Sequence, residues 1–524
     1  MDNGHTTTII SANQIKIDLN YLHEKGGILN ALSSASAQYI YKVIEKHTKK
    51  EDRKWFDNEK IEKLRRGIIH KNAHLDEYCA ELLFRAILPP HLKDLEIKEH
   101  TLFSKEDDTF AKISWPNAVV FGIGGKEAGG AKALQIFDEH NADGTRVKLS
   151  CSQLIAEEFL KQIPESLQIV LDEVNIADSG TGGHQYNLKN IIPSMHDTLF
   201  TVGYDDNYNT EITKYLTENW KRAIINACIA AMIYVYENRI HKISDMDDRL
   251  KEEIEKITKK SLDYFLSNSF LVKNETLEKV KGTILHHFRV GNHDTIDKAI
   301  WKDENGNEIR KQILIIHRMC HALEKSWGSK ICLFVMMHIW QCLFHQQIMF
   351  REIQDDIKEL PNEQSIKTKF GSVRKIQIDM PGFVPEQAEK DKRKRTFKEN
   401  SPLWLFDINV TSPEYFNTAT AFKALLNSDY GQKGNNGFGL FLLHDKILNS
   451  KIVNTGSTIP YNVWVKISDT ILNAEPDRWF QLIGRNDKYA DFVMNRTKSH
   501  QEHLPSTKID IEFIKNIIIQ LGKK

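Results

Sequence analysis

"RGIIHKNAHLDEYCAELLFRAIL", residues 66–88, changes character halfway. Ile68 and Ile69 form a short apolar run, and Leu82, Leu83, Ala86 and Ile87 then recur at helical spacing. The pattern predicts a strand, a tight turn and a helix. His70, His74 and Asp76 fall in and beside that turn. In a parallel α/β sheet the carboxyl ends of the strands are where ligands gather, so three side chains of metal-binding type at this point suggest a site as well as a fold.

The same alternation continues outward. "NAVVFGIGG" (117–125) and "LQIFDEH" (134–140) read as strands that end in turns, and "SCSQLIAEEFLKQI" (150–163) as a helix opened by serine N-cap candidates. Residues 61–215 are therefore expected to form an α/β domain with a mainly parallel sheet. Residues 1–60 read as an N-terminal helical segment. Residues 216–380 read as a helical domain, and residues 381–402, with the basic run Lys392–Arg395, as a linker. From "LWLFDINV" (403–410) onward the pattern returns to α/β, giving a C-terminal domain over 403–524.

With 41% hydrophobic and 27% charged residues, the composition is that of an ordinary globular protein. Lys plus Arg and Asp plus Glu both number 71, so any nucleic-acid site has to be a local patch. The six cysteines include no CxxC pair, which argues against a zinc ribbon or a disulfide framework and fits a reducing cytosol. The first residues lack the basic and apolar regions of a signal peptide. The most apolar window, "CLFVMMHIWQCLF" (332–344), is too short for a membrane span and reads as a buried helix. A cytoplasmic location without membrane contact is expected; a homo-oligomer or a protein partner is left open.

Four segments bear on the chemistry: His70, His74 and Asp76; the strand "AVVFGIGG"; Asp138, Glu139 and His140; and Asp178 in "NIADSGTGGH". Imidazole and carboxylate without thiolate suit manganese, magnesium or zinc. Two such ions, a few ångströms apart, activate water and stabilise the oxygens of a phosphoryl displacement.

In order and spacing, residues 66–185 resemble the DHH phosphoesterase superfamily. They come nearest the melanocyte-proliferating-gene type of 3′–5′ RNA exonuclease, whose first motif ends His-x-Asp-Glu as His74-Leu-Asp76-Glu77 does. "FDEH" matches that branch's Phe-Asp-His-His, "SCSQLIAEEF" its serine-rich helix, and Asp178-Ser179-Gly180 its fourth motif. The resemblance implies a metal-dependent phosphodiesterase, manganese being the expected ion and magnesium the alternative. The substrate would be RNA, single-stranded DNA or a short oligonucleotide. His70 and His74 would hold one ion. Asp76, Glu139 and Asp178 would hold the other, with Asp138 nearby. His140 would sit beside the scissile phosphate, and His140 and Asp76 would carry the catalysis.

The chain departs from the family pattern at two places. Glu139 stands where the branch has histidine, and the aspartate that bridges the two ions falls at Gly122, which has no side chain. Glu127 and Asp138 are the replacements the sequence offers. The alternative is a degenerate member that binds nucleotide or nucleic acid as a sensor or assembly subunit.

Further along, "YGQKGNNGFG" (430–439) matches the position of the glycine-rich substrate loop of DHH enzymes. Gly431, Gly434 and Gly437 would let the backbone approach a phosphate. Arg496, Lys498 and His500 in "NRTKSHQEHLPSTKI" (495–509) would add phosphate contacts. "LHHFRVGNHD" (285–294) is a second candidate substrate loop, whereas His317 and His321, at i and i+4 without a third ligand, read as structural.

Overall fold

The computed structural model describes residues 27–52, 62–70, 73–88, 96–100, 114–122, 132–138, 149–179, 181–182, 186–197, 210–240, 252, 300–302, 308–368, 371–378, 403–411, 424, 428, 430, 438–446, 450–454, 461–476, 478–479, 492–495 and 505–522. The chain divides into two compact units, 1–196 with 200–344, and 197–199 with 345–524. Both are mixed α/β.

In the first unit, helix α1 (Gly27–His47) precedes strand β1 (Arg66–His70) and helix α2 (Leu75–Ile87). Strands β2 (Glu96–His100), β3 (Ser114–Phe121) and β4 (Lys132–Phe137) complete a sheet of order β2-β1-β3-β4. All three pairings are parallel. Ile68, Ala118 and Val120 form an apolar cluster on it with Trp115, Ala133 and Ile136 packed against them. Helix α3 (Cys151–Phe159) follows. Phe84 of α2 meets Phe121, Phe137 and Phe159 at ring-centroid distances of 5.4, 6.3 and 6.4 Å, joining both helices to β3 and β4.

Beyond these come α4 (Glu165–Ser179), the two-residue strand β5 (Thr181–Gly182), α5 (Leu188–Asp197) and α6 (Thr210–Glu237). Strands β6 (Ile300–Lys302) and β7 (Glu308–Lys311) pair with β5 in a small antiparallel sheet, and α7 (Ile316–Trp327) closes against α6. Every residue of α6 from Trp220 to Val235 is buried. A helix buried on every side belongs in a core, and α6 contacts α1, α2, α4 and α7. The two units divide the expected helical region 216–380. The α6 segment packs with the parallel-sheet domain, while the second half of helix α8 (Ser329–Glu359) falls in the second unit. The region also holds strands that the helical expectation omitted: β6, β7, β8 (Ser365–Thr368) and β9 (Gly371–Ile378).

Glu237 at the end of α6 accepts from Lys46 Nζ at 2.8 Å and Ser166 Oγ at 2.8 Å, and meets His47 Nε2 at 2.6 Å. Burial opposes its charge, but these hydrogen bonds outweigh it and pull the carboxyl down to about 2. A carboxyl depressed on folding stabilises above its unfolded pKa and loses that contribution as pH falls through the folded value. Glu237→Gln should therefore lower the urea midpoint at pH 7, and the gap from wild type should close between roughly pH 4 and 2. A gap independent of pH would show the ion pairs to be irrelevant.

The second unit is built on a six-stranded sheet of order β13-β12-β11-β10-β9-β8. Its further strands are β10 (Leu403–Val410), β11 (Phe438–Asp445), β12 (Ser450–Asn454) and β13 (Phe492–Met494), with helices α9 (Tyr461–Ala474) and α10 (Ile511–Gly522). Only β10 and β11 are parallel within it. Leu405, Leu440, Leu442 and Val453 face Trp464, Ile467, Ile514 and Ile518 of α9 and α10. Phe406, Ile408, Phe441 and Leu443 face Ile353 and Ile357 of α8. Both faces are covered. Among the described residues, no helix is long and apolar enough to cross a membrane.

Candidate functional site

The order β2-β1-β3-β4 places the reversal of winding between β1 and β3. The crevice beyond the carboxyl ends of two such strands is where open α/β sheets take ligands. His74 N-caps α2 just after β1, and Gly122 ends β3. The strand-turn-helix expectation for residues 66–88 therefore holds, and it delivers its polar side chains to the switch point.

Those side chains divide into different roles. Asp76 is buried, and its carboxylate is held by the start of α3. The Cys151 N–H donates to Oδ2 at 2.7 Å; the Ser152 N–H and hydroxyl donate to Oδ1 at 3.0 and 2.6 Å. Helix N-termini carry unpaired N–H groups and partial positive charge, and a carboxylate satisfies both. Ser150 is the N-cap residue of α3, as its sequence suggested. Burial, and then the charge of Glu77, push the Asp76 carboxyl up to about 6, against the pull of the Ser152 and Cys151 donors. Asp76 thus has a structural use that the reading as a metal ligand did not include.

Glu77 lies one residue on and is also buried. Its Oε2 accepts from the His74 N–H at 2.7 Å, closing the first turn of α2, and His74 Nδ1 stands 3.6 Å from Oε1. Its position explains Gly122. That glycine has φ +63°, and its N–H donates to the Phe137 carbonyl at 2.8 Å. A Cβ on it would come within 2.6 Å of Glu77 Cγ and 2.8 Å of Oε1. The space next to the end of β3 is filled by a carboxylate reaching across from α2. Of the two replacements the sequence offered, Glu127 lies outside the described residues.

The remaining residues are dispersed or lie outside the described part. His74 has 62% of its side chain exposed. His70 ends β1, where only its backbone is described, and Asp138 directly follows β4. Asp178 occupies the last turn of α4, so the expected strand-end motif is helical there. The reason is the spacing of Leu167, Val170, Leu171, Val174 and Ala177, all buried along one stripe. Glu139, His140, Gly431, Gly434, Gly437, Arg496, Lys498 and His500 lie outside the described residues, as do segments 285–294 and 381–402. Among the described residues, no cluster of three or more His, Cys, Asp or Glu side chains forms a metal site. His321, on α7, has its Nε2 3.1 Å from the Ile240 carbonyl oxygen.

Sequence reasoning treated Glu77 only as part of a motif. The missed signal was Gly122 itself: a glycine where a side chain is expected leaves room for a neighbour, and Glu77 is the acid of the facing helix.

Comparison with known proteins adds no relative: no family model, curated protein or solved structure matches this chain.

Proposed function

We propose that the chain is a metal-dependent phosphodiesterase of the DHH type, acting on RNA, single-stranded DNA or short oligonucleotides, with Glu77 supplying the carboxylate that β3 lacks. The observation that carries this reading is the Glu77 carboxylate lodged against Gly122 at the switch point of a parallel sheet. Two adjacent buried carboxylates, Asp76 and Glu77, repel one another; a cation relieves such a pair. Imidazole and carboxylate oxygens fit manganese or magnesium. His74 and Glu77 would hold the ion, joined by His70, Glu139 and His140 if the resemblance extends to them. When bound, such an ion polarises a phosphoryl oxygen and acidifies water. Asp76 would act indirectly, by fixing the start of α3 against α2.

A second reading is favoured by that same Asp76. A carboxylate given over to a helix N-terminus is weakened as a ligand, which suits a degenerate protein that binds nucleotide or nucleic acid without cleaving it.

The deciding assay incubates the full chain with end-labelled RNA, single-stranded DNA and dinucleotides, with manganese and with chelator. His74→Ala is the variant to use. The His74 side chain is largely exposed, so the fold should survive, whereas Asp76→Ala would strand three donors of α3. Manganese-dependent cleavage that falls at least roughly a hundredfold in His74→Ala, with the fold retained and melting lowered by no more than the loss of an N-cap side chain allows, is the expected result. Absence of cleavage by wild type on every substrate, or cleavage indifferent to His74→Ala, removes the enzymatic reading.

A further inference from the structure

The second unit contains a buried cation that has no matching anion among the described residues. Lys375 lies on β9 on the sheet face that also carries Val373, Phe406 and Ile408, and it is only 7% exposed. Its ammonium sits over two aromatic rings, 4.6 Å from the centroid of Trp404 and 5.5 Å from that of Tyr430. Its single described hydrogen bond runs to the Tyr430 hydroxyl at 3.5 Å, the long limit for such a contact. Among the described residues no carboxylate pairs with it. An ammonium has three donors and keeps its charge only where charge is compensated. Ring faces attract a cation, yet they accept none of its strong hydrogen bonds.

The surroundings hold this arrangement in place. Tyr430 packs on Phe406 at 5.1 Å and edge-on to Trp404 at 5.5 Å. Its carbonyl rests on Gly439, where an added Cβ would lie 2.4 Å from that oxygen. Trp404 beside the ammonium is half-buried. The sheet thus builds a cationic, ring-walled spot with a hydroxyl beside it and no carboxylate among the described residues.

We propose that Lys375 and the Tyr430 hydroxyl form an oxyanion site for a phosphate group, which accepts from the ammonium and the hydroxyl. A tetrahedral oxyanion accepts from both donors and supplies the missing charge. Burial lowers the lysine's proton affinity, and a neighbouring anion reverses that cost. The site lies in the second unit and stands independently of the metal reading of the first.

The experiment measures binding to the full chain by calorimetry and thermal melting in chelator, which prevents metal from recruiting phosphate elsewhere. Probes are inorganic phosphate, pyrophosphate, adenosine monophosphate and adenosine. Variants are Lys375→Met, of similar length and uncharged, and Lys375→Arg, which keeps the charge.

The expected result is anion binding by wild type and by Lys375→Arg, weakened at least tenfold in Lys375→Met. Without ligand, Lys375→Met should melt at or above the wild-type temperature, because an unpaired buried charge has been removed. Preference for the monophosphate over inorganic phosphate would identify a nucleotide as the source; equal binding would identify free phosphate. The proposal is overturned by a wild type that binds none of the anions, by anion binding that Lys375→Met leaves unchanged, or by adenosine binding as tightly as its monophosphate. Should Lys375→Met fail to fold, the wild-type and Lys375→Arg titrations decide alone, and a wild type that binds no anion overturns the site.

Discussion

An aspartate introduced at Gly122 is expected to destabilise the first unit by about 2–4 kcal/mol rather than simply restore a metal ligand. Two costs combine. The backbone there has φ +63°, where a side chain is strained by roughly 1 kcal/mol, though Asp tolerates the region better than most. The larger cost is overpacking, typically 1–3 kcal/mol, because the new Cβ would lie 2.6 Å from Glu77 Cγ. Repulsion adds to it, since Glu77 and Asp76 are already buried and charged alike. Glu77→Ala empties that space at the cost of the cap hydrogen bond to the His74 N–H.

The two changes should therefore compensate. In a denaturant-unfolding cycle, Glu77→Ala with Gly122→Asp should be less destabilised than the sum of the single variants, by about 1–3 kcal/mol. If Glu77 replaces the strand-borne carboxylate, the double variant should also keep manganese-dependent activity that Glu77→Ala alone loses. Additive stabilities, within about 0.5 kcal/mol, would mean that Glu77 does not occupy the place of the missing side chain.

The other large effect lies one turn further along α2. Glu81 is fully buried and pairs with Arg85 on its own helix and with Arg222 of α6, whose Nε is 3.1 Å away. Removing the central carboxylate takes from two largely buried guanidiniums the anion they share. Breaking a buried pair in this way costs about 3–5 kcal/mol, whereas replacing all the charges with apolar groups of similar volume is often neutral. Glu81→Ala should thus show a large loss in urea unfolding. The triple variant Glu81→Leu, Arg85→Met, Arg222→Met should recover most of it. A loss below about 1 kcal/mol for Glu81→Ala would show that the triad is solvated rather than structural.

How far the sequence revealed all this depended on the range of the interactions. The turn between β1 and α2 was legible because its signals are local: Ile68 and Ile69 for the strand, the spacing of Leu82, Leu83, Ala86 and Ile87 for the helix. The role of Asp76 was not, because its donors Cys151 and Ser152 lie 75 and 76 residues away. Glu77 was hidden for a related reason, since the meaning of Gly122 depends on which helix faces β3. Asp178 was misplaced when a three-residue motif outweighed the helical stripe of the whole segment Glu165–Ser179. Strand β9, "GSVRKIQI", was absorbed into a helical region because it is covered on both faces and shows no clean polar alternation. Lys375 escaped notice there for the same reason.

The second unit's sheet has one further consequence, for the order in which it assembles. Strands β8, β9 and β10 form one antiparallel meander, and β11, β12 and β13 another. They meet along a single parallel seam, where Leu403 faces Phe438 and Val410 faces Asp445. Each β8–β9 and β11–β12 pairing joins strands close in sequence, whereas the seam joins positions 35 residues apart. Contacts between near neighbours close first, because the chain entropy lost in bringing their ends together is smaller. The β8–β9 and β11–β12 hairpins therefore close first, while the seam forms together with the equally distant β9–β10 and β12–β13 pairings, such as Val410 with Gly371 and Asn454 with Phe492; until then both hairpins present open edges through β9 and β11.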